Sequence, residues 1–238
     1  ILLSNILNGL IFFFLIMSIH DYLLKMKEIQ SKLLKFIETE DKIEENFQNI
    51  IKFFDDEKVH EDRQQLCTIL HLLCKIANNH NRTADFYKKI EKILQIVRND
   101  IKNYLTNTEI FDIFKGNKRL LLFLFKEGIL KMDEYITRIM TSKKYRDYFY
   151  PEYFFPEIKP FLTELAIFVI SKKIPEDFEE KRLIGENENY ICELIRKDDI
   201  EEFITYVNKM NYPLKSEIEQ SIFETNPFLL KQKENHLI

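Results

Sequence analysis

Apolar residues recur along this chain at steps of three and four, the period of a helix, rather than at the alternate positions of a strand. Ile19, Leu23, Met26, Ile29 (with Gln30 as the alternative step), Leu33 and Ile37 form the first such stripe. Thr39-Glu40-Asp41 is a polar break with capping residues. Ile43, Phe47, Ile50, Ile51 and Phe54 resume the period until Asp55-Asp56-Glu57-Lys58 interrupts it. A third helix is predicted from His60 to Asn78, carrying Leu66, Ile69, Leu70, Leu73 and Ile76. After the loop Asn78-Asn79-His80-Asn81-Arg82, Thr83 is an N-cap candidate for a fourth helix. That helix bears Phe86, Ile90, Ile93, Leu94, Val97, Ile101 and Tyr104 on one side. Breaks of only a few residues predict antiparallel helix hairpins.

Past Leu105 the rhythm changes. Thr108 is the expected cap of a short helix with Ile110, Phe111 and Phe114, and Lys115-Gly116-Asn117-Lys118 turns the chain. Leu120 to Phe125 form a nearly continuous apolar helix closed by Gly128, and a further pair is predicted from Met132 to Phe149. Pro151, Pro156 and Pro160 are expected to break regular structure. Phe161 to Ile170 then predicts a buried helix, and Glu176 to Asn187 a charged one. Two short amphipathic helices follow, parted only by Lys197-Asp198-Asp199. Ile191, Leu194 and Ile195 share one face of the first; Ile200, Phe203, Ile204 and Val207 share one face of the second. Neither can bury its stripe alone, so each must pack on a neighbour. The predicted fold is all-α: N-terminal helical hairpins over residues 17–105, then stacked helix pairs of an α-solenoid over 106–238, with a lesser break at the proline-rich segment.

Composition narrows this. The 238 residues suffice for one large domain or two small ones. Only 4 Gly and 6 Pro are present, too few for the turns of a β-sandwich or the glycine loops of a nucleotide enzyme. A net charge of −4 and a pI near 5.9 argue against a basic nucleic-acid-binding surface. The abundance of Ile, Lys, Asn, Phe and Tyr with no Trp reads as the imprint of an AT-rich coding sequence. Three cysteines do not make a disulfide framework, so reduced thiols and a cytoplasmic location are expected. Asn81-Arg82-Thr83 is a glycosylation sequon, with meaning only in a secreted chain.

Residues 1–16 are mostly apolar, but Ser4, Asn5, Asn8 and Gly9 interrupt them and no Lys or Arg precedes them. The chain begins with Ile, Met17 is the first methionine, and a credible start follows at Ser18. Residues 1–16 are therefore expected not to belong to the native protein. The alternative is an anchor for a membrane-associated structural protein, and membrane contact is expected only in that case.

Candidate chemistry is thin. Cys67, His71 and Cys74 lie at i, i+4 and i+7 on one helix face, and His80 is within reach as a fourth zinc ligand. The same face runs on through Leu70 and Ala77, and buried Cys is a small hydrophobe, so a core reading is favoured and no cofactor is expected. His60-Glu61 begins like a zinc-protease helix, but Gln64 stands where the second histidine belongs. The chain has no phosphate-cradling glycine motif and no nucleophile elbow. Cys192 has no histidine nearby in sequence to activate it. Glu176, Asp177, Glu179, Glu180, Glu201 and Glu202 read as solvated helix faces. Lys143-Lys144-Tyr145-Arg146 interleaves charge with aromatics as single-strand binders do, but the run is short and the protein acidic. The aromatic run Tyr148, Phe149, Tyr150, Tyr153, Phe154 and Phe155 has two readings: it pins a loop onto the helices, or, exposed, it anchors a protein partner.

The segment Ile184-Gly-Glu-Asn-Glu-Asn-Tyr-Ile-Cys-Glu-Leu-Ile-Arg-Lys-Asp-Asp-Ile-Glu-Glu-Phe-Ile, with Ser221-Ile-Phe-Glu-Thr-Asn-Pro-Phe-Leu-Leu, closely resembles the region leading into the repeats of the large trichomonad ankyrin-repeat family, a domain of unknown function. Residues 178–230 carry the pattern, and residues 17–161 are more loosely similar. The resemblance implies an all-helical N-terminal module ahead of ankyrin repeats, which bind proteins and have no catalytic residues. The chain departs from the family in stopping at Ile238 without the repeat signature T-P-L-H-x-A. The expected function is a non-enzymatic protein-interaction module whose partners are other proteins, with self-association through an uncapped C-terminal helix pair.

Overall fold

The computed structural model describes residue 20 and residues 23–39, 41–79, 85–213 and 220–226. Residues 1–16, His80 and the sequon at 81–83, with the expected cap Thr83, lie outside the described residues. Those described are all-α, and no strand occurs among them. The chain divides into two compact units, Ile1–Leu105 and Thr106–Ile238.

The first unit contains α1 (23–38), α2 (Ile43–Asp56), α3 (Arg63–Asn79), α4 (Phe86–Ile96) and α5 (Arg98–Tyr104). Its core collects the apolar stripes: Leu33, Phe36, Phe54, Leu66, Ile69, Leu73, Phe86, Ile90, Ile93 and Leu94 are buried. Each such side chain contributes about 2 kcal/mol through burial. The stripe predicted as one helix from Phe86 to Tyr104 is two, because the chain turns at buried Val97; α3 packs against both. Lys89 is buried among these helices, and its Nζ donates to the carbonyls of Ile37 (2.8 Å) and Thr39 (2.7 Å). An ammonium there satisfies orphan carbonyls at the C-terminal end of α1. His60 Nδ1 lies 2.6 Å from Asp100 Oδ2, and the Tyr104 hydroxyl donates to the His60 carbonyl, fastening the α2–α3 connection to α5.

The second unit begins with a capping box. Thr106 Oγ1 accepts from Glu109 N while the Glu109 carboxylate accepts from Thr106 N, so Thr106, not the expected Thr108, starts α6 (Asn107–Phe114). The reciprocal pair explains the difference, since Glu109 stands three residues beyond Thr106. Asn117 caps α7 (Lys118–Lys126), which packs on α6. Next come α8 (Glu134–Met140), α9 (Lys143–Arg146), α10 (Tyr150–Tyr153), α11 (Phe155–Ile158), a 3₁₀ turn (Lys159–Phe161), α12 (Glu164–Ser171), α13 (Phe178–Ile184), α14 (Tyr190–Lys197) and α15 (Ile200–Lys209). The prolines open helices here instead of breaking them. Pro151, Pro156 and Pro160 each occupy the first or second position of an element, where a missing N–H costs nothing. The expectation of a buried helix over 161–170 fails as well: within α12 only Ile170 is buried.

Candidate functional site

The aromatic segment contributes to the core of the second unit. Tyr150, Tyr153 and Phe154 are buried, and Tyr148, Phe149 and Phe155 are half-buried. The Tyr150 hydroxyl donates to the Lys115 carbonyl (2.7 Å) and that of Tyr153 to the Arg182 carbonyl (3.2 Å). The two proline-initiated turns fold the run so that these rings point inward, onto two buried cations. An exposed aromatic face over 148–155 is therefore not formed. Tyr145 is buried too, which removes it as a stacking platform beside exposed Lys143, Lys144 and Arg146.

Arg182 is 2% exposed. Its guanidinium carbon lies 5.4 Å from the Tyr153 ring centre, 5.8 Å from Phe154 and 5.6 Å from Phe178. Nη2 donates to both Glu157 oxygens at 2.6 Å. Lys118 Nζ donates to the carbonyls of Ile222 and Glu224, each at 3.2 Å, and sits 5.1 Å from the Tyr153 ring centre. Burial pushes the Lys118 ammonium down to about 7, although the Glu224 and Glu152 carboxylates pull the other way. Glu224 in turn accepts from the backbone N–H groups of Asn187 and Asn226. These ionisable groups are consumed in holding segment 220–226 and α13 in place.

The thiols behave as core residues. Cys74 is buried, and burial raises its thiol to about 11 against the Asn78 amide that donates to it. Cys67 is half-buried and His71 exposed, so the three side chains of α3 occupy different environments. Among the described residues no three His, Cys, Asp or Glu side chains converge as a metal would need. Cys192 is buried and its thiol is pushed up by burial, with Arg196 opposing, which disfavours the thiolate a nucleophile requires. His60 points one nitrogen at Asp100.

Two surfaces remain. α14 packs on α15 and buries Ile191, Cys192 and Leu194, while Val207 is buried from α15. Ile195, Ile200 and Ile204 stay exposed, Ile200 by 63%. Both helices of the pair thus also carry exposed apolar side chains. Asn189 caps α14, Asp199 caps α15, and Asp198 in the left-handed region makes the turn between them.

No protein-family model, curated protein or solved structure matches the chain.

The second surface is a groove of ≈ 840 Å³ walled by α8, the α9–α10 region and α12. Thr137, Arg138 and Thr141 come from α8; Arg146, Phe149 and Glu152 from the middle wall; Leu165, Ala166, Val169 and Ile170 from α12, with Lys173 just beyond it. Glu152 is buried and its Oε1 accepts from Lys173 Nζ at 2.7 Å. Its Oε2 and the hydroxyl of buried Thr137 have no hydrogen-bond partner. Of the aromatics singled out in the sequence, Phe149 lines this groove. The rest of the groove was missed, because a helix apolar on every side reads as buried. The signal present was the Thr163 cap followed by an unbroken apolar run between Lys-rich ends, Lys159 and Lys172-Lys173.

Proposed function

We propose that the chain is a non-enzymatic protein-interaction module, an α-helical scaffold of the ankyrin-repeat type that acts in the cytoplasm without a cofactor. The observation that carries this reading is the α14–α15 pair. It buries Ile191, Leu194 and Val207 within the unit and leaves Ile195, Ile200 and Ile204 exposed. That is the arrangement of a helix pair in a stack, where each pair completes its burial against the next. The resemblance of residues 178–230 to the segment that leads into ankyrin repeats supports the same reading. So does the use of the buried ionisable groups: Arg182 is neutralised by Glu157, Glu152 by Lys173, and Lys118 is spent on carbonyls, which leaves them to structure rather than proton transfer.

An open apolar face is adhesive. Static light scattering over rising concentration tests it. The chain is expected to gain average mass with concentration, while the Ile200→Asp, Ile204→Asp double variant stays at the monomer mass. A monodisperse monomer at high concentration would overturn the proposal.

A further inference from the structure

α12 is an unusual helix for a water-facing position. Its sequence, Glu164-Leu-Ala-Ile-Phe-Val-Ile-Ser171, is apolar at six successive residues, yet only Ile170 is buried. Leu165 is 73% exposed, Phe168 57% and Val169 50%. They stand at i, i+3 and i+4, so they share one side of the helix. Leu165 and Val169 also line the groove against α8, whereas Phe168 lies outside its walls. The apolar surface therefore runs from the groove over the crest of α12, further than a small ligand seated in the groove would cover.

The charge around this surface differs from that of the whole chain. The protein carries a net charge of −4, but Arg138, Arg146, Lys172 and Lys173 gather here. Lys172 Nζ lies 4.0 Å from the Phe168 ring centre. Lys173 is paired with Glu152, while Arg138 and Arg146 enter no ion pair among the described residues. The opposing carboxylates at the rim are Glu134 and Glu164. An apolar stripe edged by cations complements a stripe edged by anions.

The geometry points to α12 and its groove as a docking site for an acidic amphipathic helix of a partner protein. α12 is eight residues, about 12 Å long, so two to three turns of a partner would lie along it. Apolar anchors spaced i, i+3/i+4, i+7 would cover Leu165, Phe168 and Val169, and Asp or Glu on the partner's flanks would meet Arg138 and Arg146. An anionic membrane fits less well. It would face Glu134 and Glu164 as well as the cations, whereas a helix places each carboxylate individually. This site uses residues other than the α14–α15 face and stands or falls apart from it.

The test is selection from a helical peptide library displayed on phage, panned against the full chain. The best peptide is then synthesised with a fluorophore and its affinity read by anisotropy. Enriched peptides are expected to pair an apolar stripe with acidic flanks. Leu165→Glu with Val169→Glu should weaken binding at least about tenfold, and Arg138→Glu with Arg146→Glu severalfold, with a matching loss of salt dependence. All four side chains face solvent or the groove, so circular dichroism should show unchanged helix; if the α12 pair does not fold, Phe168→Ser serves in its place. Ile200→Asp with Ile204→Asp should leave peptide binding unchanged. The proposal is overturned if no peptide is enriched or if the winners are basic. It is also overturned if the α12 variants bind as well as the parent, or if the chain ignores peptides and sediments with phosphatidylserine vesicles.

Discussion

At Arg182 a guanidinium is enclosed by Tyr153, Phe154 and Phe178, with Glu157 as its close carboxylate and the more exposed Glu179 as a second, longer pair. Its Nε has no hydrogen-bond partner, so the charge is held by the close Glu157 pair, a longer 3.6 Å pair from Nη1 to Glu179, and ring faces rather than by a full set of hydrogen bonds. Truncation would remove the packing of three rings and leave Glu157 unpaired but partly solvated. Arg182→Ala should therefore destabilise the second unit by about 3 kcal/mol, at the low end for breaking a buried pair. Arg182→Lys should recover less than half of that, because a compact ammonium cannot span three rings and a carboxylate at once. Urea unfolding checks both, and equal midpoints for Arg182→Lys and the parent would contradict the account. Nothing in the one-dimensional pattern separates Arg182 from its neighbour Lys181, which is ion-paired at the surface with Asp177 and Glu188. The charged stretch was readable as helix; which of its charges turned inward was not, since that depends on where Tyr153 and Phe154 arrive from far upstream in the sequence.

Helix ends show the same division between what periodicity reveals and what it hides. Two glycines terminate helices in the left-handed region, Gly128 (φ +59°) after α7 and Gly185 (φ +72°) after α13. A Cβ at Gly128 would meet nothing within 4 Å, whereas one at Gly185 would lie 3.1 Å from Thr225 Cγ2 and 3.3 Å from Thr225 Oγ1. Thr225 cannot retreat freely, because its N–H and its hydroxyl both donate to the Gly185 carbonyl. Gly128→Ala should cost about 1 kcal/mol from backbone conformation alone, and Gly185→Ala about 2 kcal/mol or more because steric pressure on segment 220–226 is added. Thermal unfolding of the two variants side by side checks the order, and a reversal would deny that Gly185 is a packing point. The stripes of α1 to α4 and the α14–α15 pair were legible because one face of each is apolar and the other polar. α12 was legible as a helix but its exposure was not, because six apolar residues in a row carry no period to mark an outer face. The start of α6 was misplaced by two residues because Thr106 and Thr108 are both capping residues, and only the reach of Glu109 distinguishes them.

Over the whole molecule, two buried titratable groups give the two units opposite responses to pH. In the second unit Lys118 titrates near 7 when folded, against an ordinary 10.5. Between those values the unfolded chain binds a proton that the folded chain does not, so stability rises with pH across that window. Below 7 both states are protonated and the cost of burying the ammonium is felt in full. In the first unit Cys74 moves the other way: its thiol is raised from 9.0 to about 11, so the folded state keeps a proton that the unfolded state loses, and stability falls across that range. The two effects are separable between 7 and 9, where the Lys118 window has opened and the Cys74 window has not. Lys115, held up by Asp112, and Tyr145, held up by burial, both respond above that interval. Chemical unfolding of the parent and of Lys118→Met should accordingly diverge from about pH 7 to about 8.5, the parent gaining by up to about 1.4 kcal/mol per pH unit relative to the variant. Parallel curves would show that Lys118 stays charged in the fold, held by the carbonyls of Ile222 and Glu224 and by Glu224 and Glu152. The sequence places Lys118 in a turn beside Asn117, a position where lysine is ordinarily wet. It becomes the pH-sensitive fastening of segment 220–226 only because the chain returns more than a hundred residues later to set two carbonyls over it.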